Sequence, residues 1–547
     1  MNTFLRRRTA IKQFIATSAT YLLSAPVLTF ANNLAPIKLP SATRSFSQEQ
    51  IATHLINRLG FGPRPGDLSI IAEDPSKWIA QQLKPSALLM PAALASRLNE
   101  GAFVNQHPVR MVQEFRSLLR SNQQVAANAA SNVINNEMLL GAPQAGNAQP
   151  SQPEPANPLG RFVTSIARPA MESRLLRALE SPRQLEEVMV DFWFNHFNVF
   201  QGKNLLRVMM GHYEHYAIRP FAFGKFRDLL GATAHHPAML YYLDNAQSAA
   251  PGMGAGGANP RGLNENYARE LMELHTLGVD GGYKQKDVTE LARMLTGWSI
   301  QSPNQTISSD TPAAPGSIAQ MPGFFFNERI HDKGEKEWLG FQVLPQGQAE
   351  GEFALDTLAK HPATAKHISY KLAQYFVNDK PDPALVAKLA QVFTTTDGEI
   401  TQVLAALFSS DAFWAKENVA VKFKTPYQYV LSVVRATGQT PENLQALSGA
   451  LAAQGMPLYG CATPDGYKNT EAAWLNPDAM TKRINFANNL FTARSFGNAL
   501  NSITVEGLMQ TLGPLVNEPT RKLALASAND SSLARALVVA GPAMMRR

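Results

Sequence analysis

Apolar residues recur at helical spacing along almost all of this chain, and runs of alternating β-branched residues are scarce. That pattern argues against a sheet-based core, because a strand buries every second residue whereas a helix buries positions three and four apart. The first clear case is Ile51, Leu55 and Leu59, which follow Ser47 at four-residue spacing and stop at the break Gly60-Phe-Gly-Pro-Arg-Pro-Gly66. Further helices are expected over about 107–140, within 168–240, over 264–277 and 285–297, and three times between Phe353 and Trp414. More are expected over 425–455, 479–493 and to the end. No internal repeat of about 20–50 residues interrupts this pattern. The expected fold class is mainly α: one large multi-helix domain over 47–547, in two lobes meeting near residue 350, with long irregular loops. At most a minor β-hairpin is expected, near Phe324–Phe326 and Trp338.

The N-terminus is of another kind. Arg7-Arg8-Thr9-Ala10-Ile11-Lys12 has the form of a twin-arginine export signal, with a moderately apolar run over 13–30 after it and a small-residue cleavage site at Thr29-Phe30-Ala31. Residues 1–31 are therefore expected to be a signal peptide and 32–46 a polar linker, which places the mature chain in the periplasm or outside the cell. Four of the 50 basic residues (Arg6, Arg7, Arg8 and Lys12) lie in that leader, so the rest stands at 46 bases to 43 acids. So balanced a chain gives no reason to expect nucleic acid, which selects a clustered basic face. After the leader no stretch is apolar enough for a membrane-spanning helix. Cys461 is the sole cysteine, which excludes an internal disulfide and any cysteine-rich zinc site. Two segments cannot bury a core and read as mobile insertions: Gly141 to Pro158, and the loop from Ala246 to Gly262.

Polar residues at helical spacing carry the functional expectations. In 264–277, Tyr267, Leu271 and Leu274 fall on one helix face, and Asn266, Arg269, Glu270 and Glu273 on another. Side chains three apart have Cβ atoms about 5–6 Å apart, so Glu270 and Glu273 could share one ion or act as a coupled acid–base pair, with Arg269 holding one of them ionised. The same residues could equally form solvated or inter-helix ion pairs. The glycine-rich run Gly252–Gly257 leads to Asn264-Glu265-Asn266 at the helix start, where an Asn caps and free N–H groups favour an anion. Asp191-Phe-Trp-Phe-Asn-His196 sets polar groups in an aromatic run, with Phe192 and His196 on one face and Asp191 and Asn195 on another. They serve either a ligand or a hydrogen-bonded network between helices. His212 and His215 stand at a metal-compatible spacing, His235-His236 before Pro237 reads as a loop, and His331-Asp332 could serve as a general base, a metal ligand or a turn. No Gly-x-Ser-x-Gly elbow, Walker loop, His-Glu-x-x-His, dinucleotide fingerprint or Cys-x-x-Cys-His haem pattern occurs.

Several stretches together resemble one family. They are His54-Leu-Ile-Asn-Arg-Leu-Gly-Phe-Gly-Pro63, Asp191-Phe-Trp-Phe-Asn-His-Phe197, Asn264 to Gly278, Tyr283 to Trp298 with its ending Leu295-Thr-Gly-Trp298, His331 to Lys336, and His361-Pro-Ala-Thr-Ala365 with Lys371-Leu and Phe376-Val. In combination they resemble the family called domain of unknown function 1800. That resemblance implies an exported bacterial protein of unestablished activity, with a sulfatase-like exported protein as a partner. Position 275 is His where such relatives commonly carry an aromatic, which argues against a general role for it.

The expectation for function is a hydrolase-like enzyme on an envelope or polymeric substrate. Glu270, Glu273, Asp191, His196, His331 and Asp332 would form its acid–base set, and Asn264, Asn266 and Arg269 would position substrate. A metal would turn the same set into a water-activating site; the cofactor is left open. The alternative is a non-catalytic exported scaffold in which these residues are paired and closed to solvent. The enzyme reading requires the three segments to line one open cleft.

Overall fold

The computed structural model describes residues 36–99, 106–139, 157–253, 262–301, 321–493, 496–497, 502–527 and 529–547. The leader, the first part of the linker, nearly all of the 141–158 loop, and the glycine-rich run beyond Met253 lie outside the described residues.

The first helix, Gln48–Arg58, starts where the sequence marks it. Ser47 accepts from the Gln50 N–H while the Gln50 side chain accepts from the Ser47 N–H, a capping box that satisfies two of the helix's free donors. Three short helices, Asp67–Glu73, Pro75–Gln82 and Ala92–Asn99, come next, then the long helices Pro108–Leu139 and Pro158–Glu180 and the Gln184–His196 helix. Between 348 and 414 the chain makes five helical segments instead of the expected three, because Pro362, Pro383 and turns near Gly398 and Ser410 each restart the helix. The Pro426–Ala436, Pro477–Thr492 and Ser531–Val539 helices complete the C-terminal half. Mainly α is the observed class, and the buried apolar side chains form one continuous cluster from Ile37 to Met545.

Among the described residues, strand is confined to two antiparallel pairs. β1 (Trp298–Ile300) pairs with β2 (Phe324–Phe326), and β3 (Lys336–Trp338) with β4 (Phe341–Val343). The Phe324 patch and Trp338 thus belong to different sheets, not to one hairpin. Among the described residues no helix is long and apolar enough to cross a membrane.

The 264–277 segment departs from its expected geometry. It is an α-helix over Asn266–Glu270 that widens into a π-helical turn over Leu271–Thr276. A π turn adds a residue per turn and so rotates the positions C-terminal to it about the helix axis. Met272, His275 and Thr276 consequently enter the core beside Tyr267 and Leu271, and Leu274 is left half-buried.

Candidate functional site

The Gln184–His196 helix is buried nearly all round, so its polar residues need partners. As the spacing predicts, Phe192 and His196 share a face, their rings near-parallel with centroids 6.4 Å apart. Asp191, Phe192, Asn195 and His196 line a cavity of about 250 Å³. Its other walls come from Lys371 and Tyr375 on the Pro362–Phe376 helix, from Gln428, and from the loop carrying Asp465, Tyr467 and Lys468.

Two asparagines fasten that loop. Asn195 donates to the Tyr467 carbonyl (2.8 Å) and accepts from the Tyr467 N–H (2.7 Å). Asn198 donates to the carbonyls of Cys461 and Thr463 at 3.0 and 2.8 Å. Gly466 permits the close approach: its φ is +71°, and a Cβ there would stand 2.2 Å from the Asn195 carbonyl oxygen. Gly466→Ala is therefore expected to push the loop off Asn195, with a loss of at least about 1–2 kcal/mol from the left-handed backbone alone. Urea unfolding measures it, and a variant as stable as the parent would refute this account of the loop.

Asp191 is held by Arg174, whose Nη2 lies 2.6 Å from Asp191 Oδ1 while Nη1 lies 3.1 Å from Glu214 Oε2. Burial pushes the Asp191 carboxyl above its usual range and Arg174 pulls it partly back. Asp465 pairs with Lys468 at 2.5 Å and accepts from the Thr463 hydroxyl at 2.6 Å. Lys371 differs: its ammonium makes no hydrogen bond or ion pair among the described residues. Burial lowers its pKa, and the neighbouring Lys468 adds to the effect.

His196 is the group best placed for proton transfer. Its Nε2 lies 3.1 Å from the His275 carbonyl oxygen, which can only accept, so Nε2 carries the proton and Nδ1 is bare. Among the described residues Nδ1 has no hydrogen-bond partner and is not sealed from solvent. Burial holds the imidazole well below its ordinary pKa, with Lys371, His275 and His367 adding to the shift. The ring is therefore neutral at physiological pH.

The other expected site residues lie apart from this cavity's walls. Glu270 sits near enough to Asp465 to sense its charge, and burial, with Glu273 second, raises its pKa. Arg269 does not bridge this carboxylate pair; its hydrogen bonds go to Glu265 (3.2 Å) and Gln285 (3.1 Å). Asn264 is used locally, its Oδ1 accepting from the Asn266 N–H at 2.9 Å. The Asn266 amide turns toward the Leu243 carbonyl at 3.5 Å. His331 and Asp332 belong to a separate, closed cluster. Arg293 grips Asp332 through two bonds of 2.9 and 3.1 Å, and His331 lies between the Thr296 carbonyl (2.8 Å) and Glu350 (3.0 Å). Lys336 closes it at 2.6 Å from Glu350. Of the expected site residues, Asp191 and His196 line this cavity and the others are not among its lining residues.

His212 also finds a structural partner. Its Nδ1 meets His236 Nε2 at 2.9 Å, while His236 Nδ1 accepts from the Ala238 N–H and caps the next helix. His235 ends the Phe226–His235 helix and bonds Glu352 at 2.7 Å, so this pair is a buried junction between two helices and not a loop. Among the described residues no group of three or more His, Cys, Asp or Glu is placed to hold a metal ion.

Spacing and motif assign no role to Lys371, Asp465 or Lys468. The turn-forming run Thr463-Pro-Asp-Gly466 is a legible signal for the loop, but nothing in spacing brings it to residue 195. No curated protein and no solved structure matches the chain. The profile of one family does match, over residues 54–546 and hence across every wall of the cavity. The chain belongs to that family, described as protein of unknown function (DUF1800).

Proposed function

We propose that the chain is exported by the twin-arginine route and works in the periplasm or outside the cell as a hydrolase-like enzyme on a polar envelope or polymeric substrate. The observation that carries this reading is the bare Nδ1 of a neutral, tautomer-fixed His196 at a cavity that also holds the Lys371 ammonium, which has no ion-pair partner among the described residues. A neutral imidazole oriented by a backbone carbonyl is suited to take a proton from an attacking water. An ammonium in a half-buried cavity is suited to stabilise charge that develops on the substrate. Arg174 keeps Asp191 in place, so Asp191 shapes the wall instead of transferring protons. Glu270 and Glu273 stand outside this wall and are assigned no proton transfer.

A second reading, a non-catalytic scaffold or partner of a sulfatase-like exported protein, is favoured by the closed cluster of His331, Asp332, Arg293, Lys336 and Glu350. The two separate on turnover. The mature protein is assayed against a panel of polysaccharides, peptidoglycan fragments and simple esters, alongside His196→Asn and Glu270→Gln. His196→Asn is expected to reduce turnover about 10²–10⁴-fold, as loss of a general base does, and Glu270→Gln to leave it nearly unchanged. Turnover that survives His196→Asn refutes the assignment, and a folded protein inert on the whole panel favours the scaffold.

A further inference from the structure

Two acids, Asp191 and Asp465, and two bases, Lys371 and Lys468, line the cavity, but they do not pair one with one. Asp191 answers Arg174 at 2.6 Å, and Asp465 answers Lys468 at 2.5 Å. Two of the polar neighbours are occupied, whereas Asn469 Oδ1 on the lining is buried and makes no hydrogen bond among the described residues. Gln428 donates to the Tyr375 hydroxyl and accepts from the Thr425 N–H, and both ends of the Asn195 amide hold the 466–467 loop. Lys371 is left over. It lines the cavity with no hydrogen bond or ion pair among the described residues, and a second ammonium, Lys468, lies on the same wall. An ammonium drawn from water with no ion-pair partner is costly; Asp465 offsets part of that cost from a distance, and an incoming anion in direct contact supplies the rest.

We propose that Lys371 is the receptor for an acidic group, so that the ligand of this site carries a carboxylate, sulfate or phosphate. This deepens the reading of the cavity as the working site and rests on it. The cavity's size, about 250 Å³, fits one small acid-bearing unit, such as the end of a chain, and not an extended run of polymer. Lys371 takes one anionic oxygen as a point charge, a role that suits a lysine. The walls fixed by Asn195 and Arg174 set where the rest of the unit lies.

The test needs no known substrate. The full mature chain is acetylated with acetic anhydride, a neutral reagent, and modification is tracked by peptide mapping at Lys371 and at Lys366, an exposed lysine one turn away on the same helix. Acetate, sulfate and phosphate are each titrated at constant ionic strength, balanced with chloride. At least one is expected to protect Lys371 saturably, about tenfold at ten times its dissociation constant, while Lys366 is unaffected. No protection by any of the three, or parallel protection of both lysines, overturns the proposal. The same titration on His196→Asn separates this inference from the enzymatic one. Protection that persists there establishes the anion receptor whether or not the wild type turns over substrate, and protection absent in both forms removes it even if the wild type is active.

Discussion

Arg174→Met is expected to lower the unfolding free energy by about 3–5 kcal/mol, the usual loss when one member of a buried ion network is removed. Arg174 bridges Asp191 and Glu214 and packs its guanidinium against the rings of Phe194, Tyr427 and Tyr459, 5.0–5.4 Å from their centroids. The two acids lose different amounts when it is gone. Glu214 keeps Arg219 at 3.1 Å and the Tyr459 hydroxyl at 2.9 Å. Asp191 keeps no other hydrogen-bond or ion-pair partner among the described residues and must take up a proton or move toward the cavity. The effect therefore reaches the site, because Asp191 and His196 lie on one helix. Methionine retains much of the apolar stem, so the loss reports the charge. Urea unfolding of the variant measures it, and the double variant Arg174→Met/Asp191→Leu should recover part of it. A single variant within about 1 kcal/mol of the parent would show that the network is not a stabilising element.

Acidification is the second large effect. Burial holds His54, His236 and His275 down to about 3 from an ordinary 6.5, with Arg58 adding to the shift of His54 and His367 to that of His275. The folded state keeps these rings neutral while the unfolded chain protonates them. With folded pKa values below unfolded ones, the stability they contribute is complete above about pH 6.5 and is lost as pH falls toward 3. Within that window each ring removes about 1.4 kcal/mol per pH unit. Thermal melts from pH 7.5 to 4 should show a steep decline that starts above the carboxylate range. Stability that stays flat down to pH 5 would mean that these histidines are charged or exposed in the folded state.

Much of the fold is legible in the sequence because helices announce themselves locally. Ser47 with Gln50, and prolines such as Pro362, Pro383 and Pro426 at first helical positions, mark where helices begin. The pairing of Phe192 with His196 and of Asp191 with Asn195 also comes from spacing alone. The π turn does not, since 3.6-residue periodicity assigns Leu274 a burial that the widened turn gives to His275. The partners of the polar residues are the least legible. Lys371 and Gly466 come to residues 191–196 across long stretches of chain, and Arg174 comes from the preceding helix. His331 and Asp332 look catalytic in sequence and are enclosed because Arg293 and Glu350 arrive from two other segments and Lys336 folds back from their own.

The central claim is that His196, a residue of the cavity wall, is neutral with its proton on Nε2 and its Nδ1 bare. Two-bond ¹H–¹⁵N correlation spectra of histidine-labelled protein, with His196 assigned by its disappearance in His196→Asn, measure this directly. The account predicts a neutral His196 with its proton on Nε2, unchanged between pH 7.5 and 5.5. A proton on Nδ1, or titration within that range, would contradict it.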